Sequence, residues 1–113
     1  MAFAVGTWGA PAVRGVPPSP RYKHSATVVG GYLLVFGGHG SRFLADVHLL
    51  STSSLTWHRP LVSGHAPQPV AGHSATLVGD AVVVIGGHGG NASMSSLLLL
   101  RVDPGGGGVT CSV

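Results

Sequence analysis

Two copies of one 49-residue pattern run through this chain. His24-Ser25-Ala26-Thr27 returns as His73-Ser74-Ala75-Thr76, and Gly37-Gly38-His39-Gly40 returns as Gly86-Gly87-His88-Gly89, each 49 residues on. The same offset joins Thr7-Trp8 to Thr56-Trp57, Pro11 to Pro60, Gly15 to Gly64, and Pro18 and Pro20 to Pro67 and Pro69. A fixed period of this size means a repeat architecture, in which each unit stacks on the next to bury a face that it cannot bury alone.

The residues inside one period say what the unit is made of. Ser25–Val29 and Tyr32–Phe36 are short β-branched or aliphatic runs flanking Gly30-Gly31, the pattern of two strands joined by a tight hairpin. Ser74–Val78, Gly79-Asp80 and Ala81–Ile85 repeat that layout. A third run at Asp46–Leu50 and a fourth around Thr56-Trp57 give four strands per period, and a Pro- and Gly-bearing loop leads into the next copy. Helix is disfavoured throughout: Gly and Pro together supply 27 of 113 residues, and Glu is absent, which removes a main helix former and the usual i,i+4 ion pairs.

Four antiparallel strands in about 50 residues is the blade of a β-propeller. The segment PPSPRYKHSATVVGGYLLVFGG, residues 17–38, followed by Asp46, Val47 and Trp57, resembles a kelch repeat. It is similar to the repeats of Rab-effector, host-cell-factor and acyl-CoA-binding kelch proteins, and the resemblance covers about Thr7 to Val102. The expected fold class is therefore all-β, a kelch-type propeller fragment of about two four-stranded antiparallel blades. The implied divisions are 1–20, an orphan outer strand at Ala2–Trp8 with an inter-blade loop; 21–69, the first repeat; 70–103, a second repeat lacking its fourth strand; and 104–113, a Gly-rich tail. The fourth strand is read as missing because the position 49 after Trp57 is Gly106, inside the Gly105–Gly108 run. Ala2–Trp8, in a ring closed between copies, would complete the second blade. The copies differ elsewhere too, with Val70 in place of Arg21 and Ser95 in place of Asp46.

Structural roles are expected at the repeated residues. Gly37, Gly38, Gly86 and Gly87 end second strands where positive φ or close backbone approach calls for Gly. His24 and His73 read as semi-buried residues hydrogen-bonded to backbone, and Trp57 with Trp8 as outer-strand anchors. Histidines at equivalent places in neighbouring blades stand a sheet spacing of about 10 Å apart, too far to converge on one metal ion. No metal and no cofactor is expected. Ser25 and Ser74 follow histidines directly, but strand neighbours point to opposite faces and cannot share a proton. Three scattered Asp offer no carboxylate pair, so catalysis is not expected.

The resemblance implies protein–protein interaction through two sets of loops on one face, those between blades and those joining the second and third strands. It points to Arg21, Tyr22, Lys23, Arg42 and Phe43 in the first repeat and to His65, Gln68 and Asn91 in the second. An Arg and an aromatic in such loops suit an acidic or extended partner. The rival classes are a piece of an enzymatic or metal-dependent kelch propeller, of galactose-oxidase or specifier type, and a non-functional truncated product. Six scattered basic residues give a formal charge of +3 without a basic run, which disfavours nucleic acid. The longest apolar runs are too short to cross a membrane and no signal peptide is recognised, so a membrane partner is not expected and a cytoplasmic location is. Cys111, the single cysteine, allows no internal disulfide. Two blades cannot close a ring, so unpaired blade faces imply self-assembly as a further expectation.

Overall fold

The structure is a computed structural model that describes residues 12–89, 92–93 and 97–113. In the first repeat, β1 (Ser25–Val29), β2 (Tyr32–Phe36), β3 (Val47–Ser51) and β4 (Thr56–His58) form an antiparallel sheet in the order β1-β2-β3-β4. The chain beyond residue 60 contributes β5 (Leu61–Gly64), β6 (Ser74–Val78), β7 (Ala81–Ile85), β8 (His88–Gly89), β9 (Ala92–Ser93), β10 (Leu97–Val102) and β11 (Gly108–Ser112). Of these, β5-β11-β10-β7-β6 make the second sheet, and β8 pairs with β9 as a small ribbon. No helix occurs among the described residues. The chain is all-β, with two blade-like sheets, and the two first hairpins fall on the residues expected.

The second blade has its fourth strand, which corrects the sequence reading. Leu100 pairs with Cys111 on the rung where Leu50 pairs with Trp57 in the first blade, so Cys111 is the counterpart of Trp57, at a spacing of 54 rather than 49. The third strand has already slipped by one residue: Phe36 pairs with Val47, while Ile85 pairs with Leu97. The remaining four residues lengthen the last hairpin. Its final rung is Val102↔Val109, against Ser51↔Thr56 in the first blade, so the glycines at 105–107 turn the chain instead of ending the blade. A ladder tolerates insertion in a connecting turn far better than in a strand, and a constant offset cannot register that. The stretch read as a tail therefore carries buried core residues, Val109 and Cys111.

The loop expected between the blades also contains a strand. β5 runs parallel to β11 along its outer edge, from Gly108↔Leu61 to Cys111↔Gly64. The first blade holds a shorter version of the same contact, in which Arg14 bridges Thr56 in parallel, donates its amide to Leu55 O at 3.0 Å and accepts from the Trp57 amide at 2.9 Å. Gly15 and Gly64 explain why the repeat keeps Gly here. Both have positive φ, and a Cβ on either would strike the carbonyl oxygen of Trp57 or Cys111. The fourth place of the second sheet is thus filled by β11 and its edge by β5, not by Ala2–Trp8; that segment, with Trp8, lies outside the described residues.

The core is the seam between the two sheets. Leu34, Phe36, Val47 and Leu49 of the first blade meet Val70, Val82, Val84 and Leu100 of the second in one buried cluster with Val29, Val109 and Cys111. The strands alternate, so the opposite face of the second blade carries the counterparts of the first blade's seam residues. Those counterparts are uncovered. Phe36 is 0% exposed and Ile85 50%, Val29 7% and Val78 60%, Val47 2% and Leu97 43%.

Leu55, in the β3–β4 turn, has φ of 52°. A bulky L-residue in the left-handed region costs roughly 1–2 kcal/mol. Leu55 is only half-buried, so Leu55→Gly is expected to raise stability by about 1 kcal/mol, read as a higher urea midpoint at unchanged slope.

Candidate functional site

The loops that leave β2 and lead into β1 and β6 gather at one end of the sheets, and the expected partner-facing residues separate there into distinct groups. Arg21 turns inward. Its guanidinium makes paired contacts with Asp46, Nη1 to Oδ1 at 2.6 Å and Nη2 to Oδ2 at 2.9 Å, and also reaches Gly37 O at 3.2 Å. Its Nε donates to Ser19 O at 3.0 Å, and the side chain is 3% exposed. Arg21 is thereby corrected from a partner contact to a structural residue, because its donors are consumed inside the blade. His48 Nε2 lies 2.7 Å from Asp46 Oδ2. Burial alone would raise the Asp46 pKa, but the hydrogen bonds and charges of Arg21 and His48 outweigh it and hold the carboxyl at about 2 against its usual 3.8. In the second copy the Arg21 position is Val70, which is buried in the core, so an apolar side chain does there what an ion pair does in the first.

Tyr22, Lys23 and Phe43 stay together at the end of the seam. Tyr22 packs on His39 with ring centroids 5.4 Å apart, His39 meets Phe43 edge-on at 4.7 Å, and Phe43 meets His88 edge-on at 5.5 Å. The Phe43 ring thus stands between the two repeat-equivalent histidines, and with Lys23 and Ala71 these residues line a cleft of about 150 Å³. Main-chain bonds fix both loops: Tyr22 and His39 exchange amide bonds at 3.0 and 2.9 Å, as do Ala71 and His88 at 3.0 Å each way. The cleft thus presents aromatic edges, two imidazoles and one ammonium. Among the described residues no three His, Cys, Asp or Glu side chains gather as metal ligands.

Arg42 lines a second, larger cleft of about 540 Å³ on the other side of Phe43, together with Ser19, Asp46, Arg59 and Pro69. Arg59 escapes sequence reading because the residue at the 49-residue offset is Gly108 and no second arginine marks the position; the one signal is the following Pro60, which holds the preceding residue extended. His65 and Gln68 are exposed at a separate small cleft beside Val84, Leu97 and Val113. Asn91 lies outside the described residues.

The remaining repeat histidine pair shows how the blades interlock. His73 Nε2 is 2.9 Å from Ser25 Oγ, whose hydroxyl donates to Phe36 O at 3.4 Å, and the His73 ring meets Phe36 edge-on at 5.3 Å. With Nε2–H donating, Nδ1 remains a buried acceptor with no hydrogen-bond partner. Burial pushes the His73 pKa below the ordinary 6.5, with the Phe36 carbonyl opposing and His24 reinforcing the shift. The glycine pairs behave as expected, with φ of 68° and 100° at Gly37 and Gly38 and 75° and 80° at Gly86 and Gly87. A Cβ on Gly37 would lie 2.7 Å from Val70 O and 2.9 Å from the His73 ring. His24 departs from the expectation of a semi-buried, backbone-bonded residue. It is exposed, since the blade that receives His73 has no counterpart on the His24 side among the described residues. Trp57 is half-buried on the outermost strand. Burial raises the Cys111 thiol pKa and keeps it protonated. No helix among the described residues is long and apolar enough to cross a membrane.

Comparison with known proteins places the sequence in context. The family model of the KLHDC2/KLHL20/DRC7 Kelch-repeats domain matches residues 2–104. Acyl-CoA-binding domain-containing protein 6 of Oryza sativa subsp. japonica is 46% identical over 50 residues, 43% of this chain and 8% of that protein. Kelch domain-containing protein 3 of Rattus norvegicus is 42% identical over 60 residues, 49% of this chain and 16% of its own length. The Leucine-zipper-like transcriptional regulator 1 homolog of Drosophila melanogaster is 44% identical over 50 residues, 44% of this chain and 4% of that protein. The chain spans less than a fifth of each of these relatives.

Proposed function

The chain belongs to the kelch-repeat family, whose domains are generally protein-interaction modules, and from that premise we propose that it is an interaction module without catalysis of its own, built as part of a larger propeller. The observation that carries this is the joined cluster of Tyr22, Lys23, His39, Phe43 and His88 at the loop end of the seam. Aromatic side chains held rigidly by main-chain bonds present contact area at little entropic cost, which is what recognition of a partner surface needs. The uneven covering of the blades supports the second half of the reading. The face of the second blade that carries Val78, Ile85 and Leu97 matches, rung for rung, the face of the first blade that the second covers. A further blade on that face would bury the same kind of side chains again.

The test is affinity isolation of bound proteins by the intact chain, quantified against two variants. Replacing Tyr22 and Phe43 together with Ala is expected to lose the bound set, whereas Asp80→Ala, at the opposite end of the strands in the β6–β7 turn, retains it. Retention by the double variant together with loss by Asp80→Ala would refute the assignment of the loop end.

A further inference from the structure

We propose that the cleft between Arg42 and Arg59 is a docking site for an acidic peptide segment, with the two guanidinium groups receiving side-chain carboxylates of the partner. This rests on the interaction-module reading and names the chemistry of the partner. The cleft brings together the approach to β1 at Ser19, the loop between β2 and β3, the residue that follows β4 and the approach to β6, so four parts of the chain converge on it. Arg42 and Arg59 are both exposed, and neither makes an ion pair among the described residues. The acid that lines the same cleft, Asp46, is already committed: both of its oxygens are taken by Arg21, and His48 is on one of them. The Arg21–Asp46 pair is neutral as a unit, which leaves the cleft with two uncompensated positive charges. The other two aspartates are engaged elsewhere, since Asp80 faces Arg101 and Asp103 accepts from Thr110.

The two arginines are also held in place. The turn bearing Arg42 is closed by a bridge between His39 and Phe43 and by the Gly40 amide donating to Arg42 O at 3.0 Å. Phe43, the next residue, is clamped between His39 and His88 and itself lines the cleft. Arg59 is restrained by buried Pro60. Planar guanidinium groups on restrained backbone suit bidentate capture of carboxylates, and an open cleft of about 540 Å³ admits a short extended segment. In sequence the second repeat has Asn91 where the first has Arg42, and Val113 where the first has Arg59 on the 54-residue spacing of its fourth strand, so it lacks this pair of arginines.

A short fluorescein-labelled peptide of alternating Glu and Gly, with its carboxyl end amidated, tests this by fluorescence polarisation on the 113-residue chain. The Glu peptide is expected to bind at least about tenfold more tightly than its Gln analogue, and Arg42→Gln with Arg59→Gln to weaken it by about tenfold. Arg101→Gln, the same charge change on another part of the surface, is expected to leave binding within about twofold. An equal loss in the Arg101 variant would reduce the effect to net charge and overturn the site, as would equal binding of the Gln peptide, an indifferent double variant, or no binding to the unaltered chain. A partner lost on replacing Tyr22 and Phe43 but unaffected by the two Arg→Gln changes would overturn this site while leaving the interaction-module reading standing.

Discussion

Asp46→Ala is expected to cost about 3–5 kcal/mol, because it leaves the Arg21 guanidinium, with a side chain only 3% exposed, buried without its counter-charge. It also strands His48 Nε2, whose other ring nitrogen is already buried without a hydrogen-bond partner. Arg21→Met with Asp46→Ala is expected to be milder than Asp46→Ala alone, since removing both charges removes the penalty of the unpaired one. The pH dependence gives a second readout. The Asp46 carboxyl titrates at about 2 when folded against 3.8 otherwise, a depressed folded value. Its contribution is therefore complete above the unfolded value and is lost as pH falls from about 3.8 towards about 2, by about 2 kcal/mol. Urea unfolding across that window should show the loss in the unaltered chain and not in Asp46→Ala. An Asp46→Ala chain as stable as the parent would mean that the paired contact adds nothing.

Phe36→Ala and Ile85→Ala, made at the same place in the two blades, are expected to differ by several kcal/mol. Phe36 is fully buried at the seam, against the His73 ring, and its truncation should cost about 3–5 kcal/mol through lost burial and the cavity left behind. Ile85 is half exposed on the uncovered face, and its truncation should cost less than about 1 kcal/mol. Chemical denaturation followed by Trp fluorescence would check both. Similar costs at the two sites would show that the second blade's outer face is covered in solution, as self-assembly through unpaired blade faces requires.

These contrasts mark where sequence reasoning reached and where it stopped. The 49-residue period, the Gly pairs and the short apolar runs were enough to place β1, β2, β6 and β7, because hairpins depend on local turn chemistry and alternation. The fourth strand of the second blade was not legible at a fixed offset, although Val109-Thr110-Cys111 carries the apolar and β-branched alternation of a strand. Within the candidate site, Tyr22, Lys23 and Phe43 are singled out by the kelch resemblance, and the structure brings them to one cleft. The direction of Arg21 was not legible, since an arginine after Pro20 reads the same whether it faces solvent or the Asp46 carboxylate 25 residues on.

The sequence by itself determined that this chain is built of repeated units of short strands and tight Gly-bearing turns, because period, turn residues and composition are local properties. Only the tertiary structure decided which copies of equivalent residues are buried. His73 is seated against Ser25 and Phe36 while His24 is exposed, and Phe36 is covered while Ile85 is not. Identical patterns cannot encode that difference, because it depends on whether a neighbouring sheet is present to exclude water. The Arg42 and Arg59 cleft has the same origin. Its two charges are 17 residues apart in the chain and share one cleft only because the blade folds back between them.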